Sequence, residues 1–267
     1  MRRQLRHGLV PLAALAALAM PAAAGFAAAP AGEFPWGERL KDAKSFAVGR
    51  TGKVSIGIVD PDGRFHGYGA NRQYYSASTV KVMLMVAYLR HGDNNDEPLT
   101  SSDKHLLGPM IKRSDNDAAT TVRNSVGNDA LVRLAKRAGM ERFQPASSWG
   151  LSRITARDQA VWMYGIRSQI PERHRQYAMR LLAQIIPRQS WGIPREKPDG
   201  WRIYFKGGWA PSGNPGWTVN QVAQLRREDE RFAITVLTRQ GPTQGYGRES
   251  IRGVAERLLK HFGRFEP

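Results

Sequence analysis

Apolar and polar or small residues alternate along Val54-Ser55-Ile56-Gly57-Ile58-Val59, the period of a strand with a buried face. Asp60-Pro61-Asp62-Gly63 then supplies the residues of a tight turn, and Arg64 to Ala70 returns as a second strand, so the pattern predicts a hairpin. Ahead of it, Gly37 to Val48 sets Leu40, Phe46 and its alanines on one side of a short amphipathic helix. In the middle of the chain the period becomes helical. Thr100-Ser101-Ser102-Asp103 has the form of a capping box before Leu106, Leu107, Met110 and Ile111. Further helical patterns cover Asp117–Val126, Ala130–Ala138, Ala156–Ile170 and Glu172–Ile186. Beyond a loop rich in proline, strands are predicted at Gly200 to Lys206, Gly216 to Leu225 and Phe232 to Thr238, and a helix from about Arg248 to His261 closes the chain. Strands at both ends with helices between them predict an α/β sandwich whose sheet unites the two ends.

One helical stretch does not fit a plain core. Tyr74 to Arg90 opens with small polar residues, becomes apolar on nearly every side, and is expected to stop at His91-Gly92. Lys81 lies inside it. An unpaired ammonium there costs several kcal/mol to desolvate, and burial lowers a lysine's pKa until it can act as a base. Ser78 precedes Lys81 by three residues, so both side chains share a helix face. A hydroxyl beside an amine base is what serine acyl transfer requires. The competing reading makes Ser76 or Ser78 a helix cap and lets Lys81 snorkel to the surface. Ser101 and Lys104 repeat the Ser-x-x-Lys spacing, but the capping box explains them structurally.

Composition narrows the classes. The 267 residues, 41% hydrophobic, suit one large domain or two small ones. With no cysteine, disulfides, thiolate metal sites and a cysteine-anchored lipoprotein are excluded, and the six histidines lack metal-ligand spacing. Arg2, Arg3 and Arg6 precede an apolar run from Leu9 to Met20, too short to span a bilayer at about 20 residues. Small residues follow. Residues 1–29 therefore read as a signal peptide cut after Ala24 or Ala29, leaving no stable membrane span and a secreted, extracytoplasmic protein in the periplasm or cell wall. Loss of three arginines from a net charge of +17 leaves +14. No run of five basic residues occurs, and export removes the chain from genomic DNA. Anionic envelope polymers, rather than nucleic acid, are the macromolecular partners such a charge would suit, and a general effect on solubility accounts for it equally well.

Three short elements remain: Ser78-x-x-Lys81 at a helix start, Ser114-Asp115-Asn116 between helices, and Lys206-Gly207-Gly208 at a strand end. Each is weak alone, and Ser-Asp-Asn in isolation reads equally well as a helix cap. In this order and context they resemble the penicillin-recognising serine hydrolases, and class A β-lactamases most closely. Met110 to Ala119, Gly200 to Gly208, and Gly216 to Asn220 with Phe232 to Thr238 extend the likeness over roughly residues 40–262.

The resemblance implies a class A β-lactamase-like three-layer α/β/α sandwich over residues 30–267, with an inserted all-α region at about 92–190. It implies Ser78 as the acylated nucleophile, Lys81 as candidate base, Ser114 as proton relay to the leaving nitrogen, and Lys206 holding Ser114 and attracting a substrate carboxylate. Asn116 would position Lys81 and the substrate; Gly207, Gly208 and Trp209 would line the substrate site. The backbone amides of Ser78 and Trp209 would form the oxyanion hole. No metal or cofactor is implied. A small-molecule β-lactam or a cell-wall peptide is the expected substrate of a monomeric enzyme.

The chain also departs from that pattern. Class A enzymes deacylate with a loop glutamate, whereas Arg142 to Arg157 contains no Asp or Glu; Glu141 and Asp158 flank it. An acyl-enzyme is therefore expected to persist. Gly207 replaces the usual hydroxyl residue, and the interval from Ser78 to Ser114 is short. Arg239 and Arg248 are candidate carboxylate-binding guanidinium groups. Two alternatives stay open: a penicillin-binding or D-alanyl-peptidase-like enzyme, and a non-catalytic envelope-binding protein of the same fold.

Overall fold

The computed structural model describes residues 34–92, 96–213 and 216–262. The expected leader and its cleavage positions, Ala24 and Ala29, lie outside them. A five-stranded antiparallel sheet is ordered β2-β1-β7-β6-β5, from β1 (Lys53–Val59), β2 (Phe65–Tyr68), β5 (Arg202–Pro211), β6 (Trp217–Arg227) and β7 (Glu230–Gly241). Ile56 and Ile58 face one side of β1 and Gly57 the other, and all three are buried. A strand buried on both faces needs a layer above and below it. Helices α1 (Trp36–Val48) and α8 (Gln244–Leu259) pack on one face. On the other lie α5 (Ala156–Tyr164) and the one-turn 3-10 segment Ala77–Val80, which leads into α2 (Lys81–Leu89). The sandwich thus has the three layers expected, with the sheet joining both ends of the chain.

The expected hairpin forms, β1 pairing with β2 and Ile58 standing opposite His66. Asp60 accepts from the backbone N–H of Arg64 (2.8 Å), which closes its turn. The helical patterns are realised with shifted joints. Thr100 caps α3 (Ser101–Lys112) with a full capping box to Asp103. The two helices expected over Asp117–Val126 and Ala130–Ala138 run on as α4 (Asn116–Arg137), kinked at Gly127, whose φ of 71° only glycine adopts freely. Ala156–Ile170 is instead broken at Gly165 into α5 and α6 (Ile166–Gln169), and α7 (Glu172–Ala183) follows. Although α5 lies within 92–190, it packs on β1 and β7 rather than on the helical region. A two-stranded pairing of β3 (Tyr74–Tyr75) with β4 (Arg153–Ile154) ties the start of the Ser78 segment to the loop before α5. No helix among the described residues is long and apolar enough to cross a membrane.

Close approach explains two glycines of the sandwich. A Cβ on Gly57 would stand 2.3 Å from the Ala156 carbonyl oxygen, so α5 can sit on β1 only because that position has no side chain. On the opposite face, a Cβ on Gly253 would meet the Phe46 ring at 2.4 Å, which sets the distance between α1 and α8. Gly57→Ala must displace backbone rather than a flexible side-chain tip. It is expected to cost about 1–3 kcal/mol, read as a lower urea midpoint with an unchanged slope.

Candidate active site

Ser78 does not sit on a regular α-helix. It lies in the 3-10 segment Ala77–Val80, and α2 begins at Lys81. Ala77 holds a left-handed φ of 46°, as does Ser114 at 62°. Non-glycine residues pay on the order of 1–3 kcal/mol for such backbone, and they persist where surrounding structure over-determines them. Here that structure is visible. Ser76 Oγ donates to the carbonyl oxygens of Trp149 (3.2 Å) and Gly150 (3.3 Å). Asn220 Nδ2 donates to the Tyr75 carbonyl (2.7 Å) while Asn220 Oδ1 accepts from the Thr238 amide (3.2 Å). The Ser78 turn is pinned between the loop before α5 and the sheet. Ser76 makes no side-chain cap, so the cap reading does not explain the segment.

Lys81 is fully buried and does not reach the surface. Its Nζ donates to the Ser114 carbonyl (2.6 Å), the Asp115 carbonyl (3.0 Å) and Asn116 Oδ1 (2.8 Å), with Ser114 Oγ at 3.3 Å. Burial brings its pKa down to about 7, against the opposing pull of Asp115. The Ser-Asp-Asn motif divides its labour. Asp115 is the N-cap of α4, accepting from the Ala118 amide (2.9 Å), while Ser114 and Asn116 on either side face Lys81. Lys206, also fully buried, donates to Ser114 Oγ (3.0 Å) and to the Gly207 carbonyl (2.8 Å). Burial first, and Lys81 second, hold Lys206 well below the ordinary lysine value. The Ser114 hydroxyl thus stands between two amines. The direct Ser78–Lys81 hydrogen bond is not formed: the two carbonyls and Asn116 take the three donors of the Lys81 ammonium.

The other residues singled out in the sequence gather here. A Cβ on Gly208 would lie 2.5 Å from the Ser78 amide nitrogen, so the absence of a side chain lets β5 run against the serine turn. Trp209, the next residue, lines the same cleft of about 670 Å³ as Ser78, Ser114 and Asn116. Gly207 has a different reason. A Cβ there would stand 2.7 Å from Trp191 Cζ2, so the indole occupies the space of the missing hydroxyl side chain. Arg248 lines the cleft and lies over both Trp191 (5.2 Å) and Trp209 (5.5 Å), whereas Arg239 lies over Tyr74 away from it. With its amide oriented to satisfy its neighbours, Gln244 accepts from Arg248 Nη2 (2.9 Å) and Trp209 Nε1 (2.8 Å).

Several cleft residues carry no motif and were not legible in the sequence. Arg113 and Arg188 join Arg248 on its walls, and among the described residues no Asp or Glu lines it. Trp149, from the acid-free loop, places its ring 4.7 Å from Lys81 Nζ and is held there by an Nε1 bond to Thr120 Oγ1 (3.2 Å). Asp158 is buried and spends its carboxylate on the amides of Glu141 (3.0 Å) and Arg142 (3.1 Å), which fixes the entry to that loop. Among the described residues no three His, Asp or Glu side chains converge as a metal site.

The chain matches the family model described as the beta-lactamase enzyme family over residues 94–262. Among solved structures, a β-lactamase from Sphaerobacter thermophilus is 21% identical with a TM-score of 0.71, the match covering 88% of this chain and 100% of that one. A class A β-lactamase from Bacteroides cellulosilyticus is 12% identical with a TM-score of 0.75, over 87% and 100%. The structure of PBP-A is 16% identical with a TM-score of 0.71, over 85% and 96%. At these identities the likeness shows the fold alone. No curated protein matches the chain by sequence.

The Trp191–Gly207 contact makes a coupled prediction. Gly207→Thr alone is expected to destabilise by about 1–3 kcal/mol, because the indole is buried and cannot give way. In a Trp191→Ala background the same change should cost at least about 1 kcal/mol less. A double-mutant cycle by chemical denaturation measures the difference, and additive effects would contradict the contact.

Proposed function

The chain belongs to the beta-lactamase enzyme family, and from that premise and the cleft geometry we propose that it is an exported serine acyl-transfer enzyme acylated at Ser78. The observation that carries this reading is the Lys81 amine. It is sealed from water, its pKa is about 7, and it is set one helical turn from a serine on the cleft wall. Near neutral pH roughly half of such amines are free bases, the optimum for a general base. A neutral amine has two N–H donors, so losing its proton releases one of the three acceptors and frees a lone pair. That lone pair takes the Ser78 proton as Oγ attacks an amide carbonyl. The carbonyl oxygen gains negative charge against the Ser78 and Trp209 amides, where one donor is worth about 10²–10³ in rate. Ser114, between Lys81 and Lys206, passes a proton to the departing nitrogen.

Arg113, Arg188 and Arg248, with no acid on the walls, favour a substrate bearing a carboxylate. A β-lactam and a cell-wall peptide with a free carboxylate both meet that requirement. The second, penicillin-binding or D-alanyl-peptidase-like reading of turnover is favoured because, among the described residues, no carboxylate lines the cleft to activate water on the acyl-enzyme. The lowered pKa of Lys81 favours an enzyme over a purely binding role.

Intact-mass spectrometry after exposure to a penicillin tests the reading. A lasting adduct is expected on the wild type and none on Ser78→Ala. Penicillin consumption without a lasting adduct would contradict slow deacylation, and neither adduct nor consumption would contradict reactivity with this substrate. The acylation rate should also depend on pH in one direction. Protonation of Lys81 below about pH 7 should lower it tenfold per unit, with a plateau above pH 8.

A further inference from the structure

A second basic concavity lies away from the serine cleft. In the sheet register Arg226 on β6 stands directly opposite Arg202 on β5 and Arg231 on β7, so three cations form one row across three strands. Like charges placed opposite each other in a sheet are destabilising. Arg226 and Arg231 share a cavity of about 300 Å³ with Arg167 of α6 and Arg175 of α7. All four are half-buried. Their positions are fixed by contacts other than ion pairs. Arg175 Nε donates to the Arg167 carbonyl (3.0 Å), Arg226 donates to the Glu228 carbonyl (3.1 Å), and the Arg231 guanidinium lies 4.4 Å from the Tyr164 ring centre. Among the described residues only Arg175 meets a carboxylate, Glu172 at 3.7 Å, and that glutamate is 90% exposed. Burial, then Arg167 and Arg231, hold Arg226 below the ordinary guanidinium pKa, with Tyr204 and Asp229 opposing.

We propose that Arg167, Arg175, Arg226 and Arg231 form a binding site for a ligand carrying adjacent phosphate groups. Four guanidinium forks around one small cavity exceed what a single carboxylate can accept, whereas each phosphate offers three oxygens and up to two charges. All four are arginine and none is lysine, which suits bidentate oxyanion recognition rather than general solubility. Arg226 lies six residues along β6 from Asn220, the residue that pins the serine turn, about 20 Å at the rise of a strand. The site is therefore separate from the acyl-transfer cleft, and its test does not depend on that reading.

Calorimetric titration of the full-length protein with inorganic tripolyphosphate is the experiment, with citrate as a carboxylate of comparable charge. Saturable binding of tripolyphosphate is expected, at least tenfold weaker in Arg226→Gln/Arg231→Gln. In Arg133→Gln/Arg137→Gln, which removes equal charge from another basic surface, the change should be under twofold. The first double variant should also melt higher than the wild type without ligand, because the like-charge row is relieved, and should gain less from tripolyphosphate. Equal weakening in both variants would reduce the binding to net charge and overturn the site. Absence of saturable binding would overturn it as well, and citrate binding as tightly would overturn the assignment to phosphate.

Discussion

Two lysine amines buried around one serine hydroxyl set the terms for the rest of this molecule. Lys81 and Lys206 are both removed from water, and both reach Ser114 Oγ, at 3.3 and 3.0 Å. Two full charges at that separation in a dry site would repel strongly, and each would forfeit its hydration. The fold answers with acceptors: the Ser114, Asp115 and Gly207 carbonyls and Asn116 Oδ1. Supplying those carbonyls requires the loop between α3 and α4 to turn inward, and Ser114 takes a left-handed backbone to do it. Strain at Ser114 and desolvation at Lys81 are thus two parts of one arrangement. Desolvation pushes the amine towards the neutral form that proton transfer requires, while the acceptors make its charged form tolerable.

The cleft around these amines is shaped by aromatic rings. Trp191 fills the space beside Gly207, and Trp149 lies against Lys81 from the loop that has no acid. The arrangement is internally consistent: Gly207 is required once Trp191 is present, and Asp158, the acid nearest the loop's end, is committed to backbone amides. The positive charge of the walls comes from Arg113, Arg188 and Arg248, and Arg248 is held by Trp191, Trp209 and Gln244. These features give the cleft a positively charged, aromatic wall beside the Ser78 turn.

Much of the sandwich was legible in the chain, because strand alternation, turn residues and capping boxes are local properties. The hairpin, the Thr100 capping box and the three late strands follow the hydrophobic pattern closely. The joints between helices were less legible. Periodicity alone does not tell whether a glycine kinks a helix, as Gly127 does, or ends one, as Gly165 does; packing of α5 on the sheet decides the second.

By itself the sequence determined the order of elements and singled out Ser78, Lys81, Ser114, Asn116 and Lys206 as candidates, since short motifs with fixed spacing survive in one dimension. Only the tertiary structure decided how those side chains pair. It turned the Lys81 amine towards Ser114 and Asn116 rather than Ser78, used Asp115 as a cap, and set Trp191 against Gly207 and Trp149 against Lys81. It also aligned Arg202, Arg226 and Arg231 across three strands. Every one of those relations except the Asp115 cap joins residues 16 to 68 positions apart or rests on strand register. The physical reason is that burial, charge pairing and close approach act through space, and no local period along the chain records them.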